Sequence, residues 1–581
     1  MDFDRLKSRL PRANQSFPFL RTHHKIYVDK TRFIRSLAMD NEPKFLSRPR
    51  RFGKSTLVST LEELFMHGVA PQQGNPSCFK DLYIEKNWSD SATYPVIRLD
   101  FNKLNQRCTT VAEFEKNLIR ALKLKAQAFT ATLPENAATA TGLLQAIADS
   151  AESYSLVLLI DEYDAPLTAY AGKPSEYAAM LSLLQSLFEI LKTDLDKFRC
   201  VFITGITRYK DAGLFTIGSN VQDISQDPYY GEICGYTHEE IRTCFKENLT
   251  YVACKRLGLN ESEADDAARE RVLEEMALWY DGYHFDRHCR TRVFSTWSVL
   301  CFFADSMCDF QCYWYEAGGL PALLRKSFIR RDLLQTLQNY EQNDFTALYD
   351  DFINPGSILI MDPMVLLFQT GYLTLKDPYI STGGVSGDII TLTCPNREIH
   401  RSLGALLRKS LFLEAADGET VFKLTRETFK EALALHSLEQ LTDTLNQMLL
   451  SIDYEGAPPK EAILNVYVEL YLSGLGYEPQ SNRHELMGRP DLLFHADDTT
   501  VVFENKFMPL NERRAVATVL KEAVTQILSH RYGEGRDRRE RLWRIALVYS
   551  EAQRRFVASE DADSHRQYLP CGAFGSSEAK T

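Results

Sequence analysis

A chain of 581 residues divides into two to four domains at about 100–200 residues each. Hydrophobic residues at 44% and charged residues at 25% exclude a chain that is mainly disordered, collagen-like or coiled-coil. The net charge of −11 argues against a non-specific nucleic-acid coat, although residues 1–56 hold 14 Lys and Arg against 5 Asp and Glu, a local +9 that leaves −20 on the rest. No run approaches the roughly 18 apolar residues that span a bilayer; the best stretch, Val293 to Ala304, is short and contains Ser and Thr. The first residues, Met1-Asp2-Phe3-Asp4-Arg5, carry charge where a signal peptide needs an apolar core, so a cytoplasmic protein without a membrane partner is expected. Twelve cysteines are scattered without a CxxC pair, and the tightest group, Cys301, Cys308 and Cys312, reads as reduced core thiols rather than a metal knuckle.

Along the chain, residues 1–235 alternate short β-rich runs with helical periodicity. Strands are expected at 44–47, 95–101, 155–160 and 200–204, with helices around 56–66, 111–129 and 178–193. The runs do not alternate polar and apolar residues, as expected for parallel strands buried on both faces. An Ala/Thr loop from Thr130 to Thr141 interrupts the second crossover. Residues 236–330 read as a helical lid rich in aromatics, among them Trp279, Tyr280, Tyr283, Trp297 and Trp314. At helical spacing, core packing outweighs base stacking for that cluster, and His284 with His288 lacks a third ligand for zinc. Residues 331–455 mix helices and short strands, a winged-helix-like arrangement being one expectation. Gly456-Ala457-Pro458-Pro459 marks a boundary, residues 456–570 form a second α/β unit, and 571–581 form a tail.

Arg48-Pro49-Arg50-Arg51-Phe52-Gly53-Lys54-Ser55-Thr56 lies between a short strand and a helical run. Gly53 turns the backbone so that amides face phosphates, Lys54 reaches the β and γ oxygens of a nucleotide, and Ser55 can ligate Mg²⁺. The first glycine of G-x-x-x-x-G-K-[ST] is replaced by Arg48. About a hundred residues on, the apolar strand Val157 to Ile160 runs into Asp161-Glu162. An acid at that strand end holds the Mg²⁺ shell, and the next can polarise a water against the γ-phosphate. The strand at 200–204 leads to Gly205-Ile206-Thr207-Arg208, where Thr204, Thr207 or Arg208 could sense that phosphate.

In the last unit, Asp491 precedes the strand Leu492-Leu493-Phe494, and a hairpin loop leads to the strand Val501 to Phe507. Period two puts Glu504 and Lys506 on one face, and the hairpin brings Asp491 beside them. Two carboxylates and a lysine in this pattern suit Mg²⁺-dependent phosphodiester cleavage. Glu469, on the helix 462–475, is a further acid. Gln526 and Tyr532 follow on and after the helix 514–529. The segment Arg531 to Arg544 holds six arginines and three acids, either a phosphate track or a solvated face.

These residues resemble the AAA-ATPase-like proteins that carry a C-terminal PD-(D/E)XK nuclease-superfamily domain, found mainly in bacteria. The resemblance rests on Tyr27 to Thr31, Ser47 to Ser55, Ile160 to Leu167, Thr204 to Arg208, Trp279 to Phe285, Leu367 to Leu373 and Pro395 to Glu398, and covers nearly the whole chain. It implies that Arg48 is the family's own habit at the first P-loop glycine. The implied fold is a multidomain α/β one: a P-loop NTPase parallel sheet with helical lid and middle region, then a restriction-endonuclease-like α/β domain. The implied cofactors are ATP, bound by Arg51, Phe52, Gly53, Lys54, Ser55, Thr56, Asp161 and Arg208, and Mg²⁺, at Ser55 and Asp161 and at Asp491 and Glu504. Glu162, Asp491, Glu504, Lys506 and Gln526 are the implied catalytic set, with Tyr532 completing the nuclease signature. One position departs: an apolar residue is usual between the acid and the lysine, and Asn505 stands there, an amide that needs partners if buried.

The first expected function is therefore an ATP-regulated, Mg²⁺-dependent nuclease acting on nucleic acid, DNA before RNA, in defence against phage or other foreign DNA. The alternative is a nucleotide-dependent switch or scaffold that self-associates or binds partners without cleaving. Strand translocation is a third, weaker reading, because the sequence shows no helicase motif set.

Overall fold

The computed structural model describes residues 2–13, 15–71, 76–128, 139–209, 214, 220–316, 340, 343–356, 360–379, 388–408, 418–450, 461–481, 489–534 and 541–570. The core of the Ala/Thr loop, the Gly456 to Pro459 segment and the tail lie outside them. Two compact units emerge: Met1–Ser327 with Phe345–His400, and Phe328–Asp344 with Arg401–Thr581.

In the first unit, β1 (Lys44–Ser47), β2 (Val96–Asp100), β3 (Leu156–Asp161), β4 (Phe198–Gly205) and β5 (Gln222–Asp223) form one parallel sheet in the order β2-β3-β4-β1-β5. All six residues of β3 are buried, which is why its sequence shows no alternation. Because β4 is interposed between β1 and β3, three strand ends meet at one edge, carrying Arg48, Asp161 and Thr204. Ligands of open parallel sheets bind at such carboxyl ends. Gly53, at φ +94°, makes the turn from β1 into the helix Lys54–His67, whose Leu57, Val58, Leu61 and Phe65 are buried.

The helices His238–Cys244, Lys246–Leu257, Asp266–Tyr280 and Thr296–Ala304 surround a core that includes Phe245, Leu249, Leu273, Met276, Tyr280 and Phe302. Of the aromatics, Trp279 stacks on Phe310 at 5.6 Å and Tyr280 and Tyr283 are buried, as core packing predicts, whereas Trp297 is only half-buried. β6 (Phe345–Leu348), β7 (Thr374–Leu375) and β8 (Ile389–Thr393) make an antiparallel sheet in the order β6-β8-β7. Several distant motifs meet here. Gly371, at φ +89°, lets Pro49 approach so closely that a Cβ would lie 2.7 Å from it, and the Tyr283 hydroxyl donates to the Gly371 carbonyl at 3.2 Å. At Gly282, φ +98°, a Cβ would lie 2.1 Å from the Pro395 carbonyl oxygen.

The second unit holds β9 (Gln480–Ser481), β10 (Leu492–Ala496), β11 (Thr499–Met508), β12 (Arg541–Ser550), β13 (Arg555–Asp561) and β14 (Arg566–Tyr568), side by side in that order. β10 and β11 are an antiparallel hairpin, and β11 pairs parallel with β12 across the helix Val516–Ser529. Leu493, Val502, Ala523, Ile527, Val548 and Val557 fill the space under that helix. The helix Leu438–Leu450, which the sequence groups with the middle region, belongs to this unit. Its Thr442 hydroxyl meets that of Ser559 at 2.7 Å, and the Asn446 side chain accepts from the Phe556 amide at 2.7 Å and donates to its carbonyl at 3.0 Å. Among the described residues, no helix is long and apolar enough to cross a membrane.

Candidate functional site

A cavity of about 430 Å³ opens over the end of β1. Its walls include Arg50 to Leu57, Asn102 and Glu162, residues of the helix Thr296–Ala304 (Thr296, Trp297, Leu300) and Pro11, Arg12, Gln15, Ile26 and Val28. The loop's carbonyls are tied back. Lys54 Nζ donates to those of Arg48 and Pro49 at 2.8 and 2.9 Å, Thr296 Oγ1 donates to that of Arg51, and the Gly235 amide donates to that of Phe52 at 3.3 Å. In a trans peptide the next amide points the other way, so tying carbonyls back favours the amide cradle that anions use. Burial holds the Lys54 ammonium below its usual pKa, against the opposing pull of Glu162 and Asp161.

Asp161 is 1% exposed at the end of β3, where its Oδ1 accepts from Thr204 Oγ1 at 2.8 Å. Glu162 has a left-handed backbone, φ 52°, and lines the cavity. Burial raises its pKa, Lys54 opposes that rise, and Asp161 adds to it. A carboxylate so placed beside another carboxylate, with the exposed Ser55 at the start of the helix Lys54–His67, is a donor set that fits Mg²⁺.

Residues 11–215 match the family model described as a predicted AAA-ATPase. A protein of Azotobacter chroococcum mcd 1, named "Uncharacterized protein in vnfD 5'region", is 27% identical over 524 residues, spanning 89% of this chain and 92% of its own length.

Within this AAA-ATPase-like domain the expected sensors fall into different places. Thr204 holds Asp161, while Thr207 Oγ1 donates to Asp164 at 2.5 Å. Arg208 does not line the cavity: its Nε pairs with Asp223 at 2.8 Å, and its Nη1 donates to the Ile353 carbonyl. Arg48 explains the missing first glycine. Its guanidinium, in a residue 2% exposed, lies 4.4 Å over the Phe285 ring and donates to the carbonyls of Ser225 and Tyr230 at 2.6 and 3.0 Å. Burial lowers its pKa to about 10. It fastens β1 to the segment after β5, a role no glycine could fill. Sequence motifs could not reveal Asn102, Thr296, Trp297, Pro11, Arg12, Ala13 or Gln15 as cavity walls, because only the fold brings them there.

A broader groove of about 810 Å³, lined by Met39, Tyr154 and Tyr229 among others, has no phosphate cradle. Its Asp40 pairs with Lys44 at 2.6 Å.

In the second unit, Asp491, Glu504, Lys506, Gln526 and Tyr532 converge. Asp491 lies one residue before the Leu492–Phe503 pair, and its Oδ2 accepts from the Asn505 amide at 2.7 Å. Lys506 Nζ donates to Glu504 Oε1 at 2.9 Å and to Gln526 Oε1 at 2.7 Å, and Gln526 Nε2 donates to the Tyr532 hydroxyl at 3.4 Å. Glu504 is 1% exposed, and burial followed by the charge of Asp491 pushes its pKa up to about 7, which Lys506 opposes. A divalent cation would relieve the same repulsion, so these two acids fit Mg²⁺. Glu469 is buried on the helix Glu461–Leu475, one turn beyond Asn465. Asn505 has a partner: its Nδ2 donates to Asn465 Oδ1 at 2.7 Å. The described arginines of the 531–544 segment are engaged with acids: Arg531 with Glu534, Arg541 with Asp498, and Arg544 with Asp563 and Glu534. Residues 535–540 lie outside the described ones. Among the described residues no set of three or more His, Cys, Asp or Glu side chains gathers as a metal cage.

Proposed function

We propose that this chain is an ATP-binding and ATP-hydrolysing protein coupled to a Mg²⁺-dependent phosphodiesterase that acts on nucleic acid, DNA in the first instance. The observation that carries it is that Lys54 and Glu162 line one cavity in a chain that also gathers Asp491, Glu504, Lys506 and Gln526. The loop amides and Lys54 would cradle the β- and γ-phosphates, Ser55 and Asp161 would hold Mg²⁺, and Thr204 would orient Asp161. Glu162, its pKa raised by burial, would take a proton from the attacking water. In the second unit Asp491 and Glu504 would hold Mg²⁺, and Lys506, steadied by Gln526, would orient a water against the scissile phosphate. In both sites the ion would neutralise charge that develops on the transferred phosphate.

The test is cleavage of plasmid and single-stranded DNA with Mg²⁺, with and without ATP, beside the Glu504→Ala variant. Cleavage lost in the variant supports the reading, and ATP dependence would show that the first unit gates the second. Intact DNA throughout, on protein that hydrolyses ATP, favours the second reading: a nucleotide switch that self-associates or binds without cutting. The pairing of the buried Arg544 side chain with Asp563 and Glu534, which leaves that charge engaged, supports that alternative. A role in defence against foreign DNA is the biology the first reading fits.

A further inference from the structure

Arg51 sits two residues before Gly53 in the P-loop, with its backbone at φ 67°, a left-handed conformation that non-glycine residues rarely adopt. Two consecutive residues of the lid helix hold it. Thr296 Oγ1 donates to its carbonyl, and its guanidinium carbon lies 4.0 Å from the centre of the Trp297 ring. The indole is fixed in turn, its Nε1 donating to the Tyr313 carbonyl at 3.2 Å. All three residues line the cavity over the phosphate loop. Tryptophan is the strongest cation–π partner, and the contact strengthens where water is scarce; burial lowers the Arg51 pKa. A stack engages the face of a guanidinium, whereas phosphate is read by its N–H edge, so one arginine can serve both at once.

We infer that Thr296 and Trp297 are positioning residues that aim Arg51 at the phosphates of a bound nucleotide, so that the lid contributes to phosphate binding through a side chain of the P-loop. This rests on the nucleotide reading above. The carbonyl bond sets the backbone of Arg51, and the indole sets the plane of its fork. A lysine would keep the charge but lose the plane.

The test is binding of mant-ATP to the full chain, with a double-mutant cycle at 51 and 297. Trp297→Leu is expected to weaken binding about tenfold, Trp297→Phe to stay within about threefold, and Trp297→Leu to have little further effect once Arg51 is Ala. Thr296→Val should weaken binding in the same Arg51-dependent way. Should Trp297→Leu misfold, the phenylalanine and valine variants complete the cycle. An equal loss from the position-297 or position-296 change with and without Arg51, or no loss at all, overturns the inference while Lys54→Ala still abolishes binding. Wild-type protein that does not bind mant-ATP overturns the nucleotide reading, and the inference with it.

Discussion

Lys54 and Lys506 are one residue type in two different settings. Lys54 Nζ is held by two neutral carbonyls, at 2.8 and 2.9 Å, on a cavity whose walls also carry Arg12, Arg50 and Arg51 with Glu162. Lys506 Nζ is held by a carboxylate and an amide oxygen, at 2.9 and 2.7 Å, beside Asp491. Neutral partners leave the Lys54 charge available to an incoming polyphosphate. In the second unit two acids outnumber their lysine, a charge balance that favours a cation over a bare phosphate. On the proposed reading the first site would meet phosphate with its own positive charge as well as an ion, and the second chiefly through an ion.

The sharpest way to break this contrast is to exchange the losses. Lys506→Ala is expected to lower DNA cleavage about 10³-fold with mant-ATP affinity unchanged, whereas Lys54→Ala should abolish mant-ATP binding. Cleavage that survives Lys506→Ala would remove the second half of the comparison. Next, Glu162→Gln should keep nucleotide affinity and slow ATP hydrolysis about 10²-fold, read by phosphate release.

A buried acid with a hydroxyl and a backbone amide among its donors sharpens the comparison further. Glu398 accepts from Ser298 Oγ at 2.6 Å and from the Trp314 amide at 2.7 Å, and burial pushes its pKa up to about 7 from 4.5. The folded protein then keeps a proton that the unfolded chain releases between those values. Its contribution to stability is therefore full below about 4.5, falls as pH rises, and is lost above about 7, for a total on the order of 3 kcal/mol. Glu398→Gln should flatten that slope in thermal unfolding between pH 5 and pH 8. Asn505→Leu, which strands the Asn465 amide, should cost about 1–2 kcal/mol. The smallest effect is expected at Glu247, an exposed partner of Arg5 and Arg9 at 3.3 and 2.9 Å: Glu247→Gln should change stability by under about 1 kcal/mol.

Chemistry that is local in sequence was legible before the fold. Gly53-Lys54-Ser55 and Asp161-Glu162 announce themselves by residue type, and period two with a hairpin is enough to bring Asp491 to Glu504 and Lys506. Gln526 was legible from the helix after the hairpin. Long-range pairings were not. Nothing near Arg208 in sequence marks Asp223 as its partner, and a basic run such as 531–544 cannot show that acids such as Asp498 and Asp563 engage its arginines. Asn505 looked out of place because Asn465 lies forty residues away. The helix Leu438–Leu450 looked like part of the middle region because its apolar face does not say which sheet it covers.

The first unit leaves the chain at residue 327 and returns at 345–400. That return supplies Gly371 against Pro49, the Gln369 side chain that accepts from the Arg208 amide at 3.2 Å, and the Pro395 carbonyl against Gly282. During synthesis, at about 5–20 residues per second, the base of the phosphate loop therefore waits tens of seconds for its last supports. A shortened protein ending near residue 215, where the family match stops, would leave Pro49 without Gly371 and the Arg208 amide without Gln369, so any fragment meant to bind nucleotide should extend to at least residue 400.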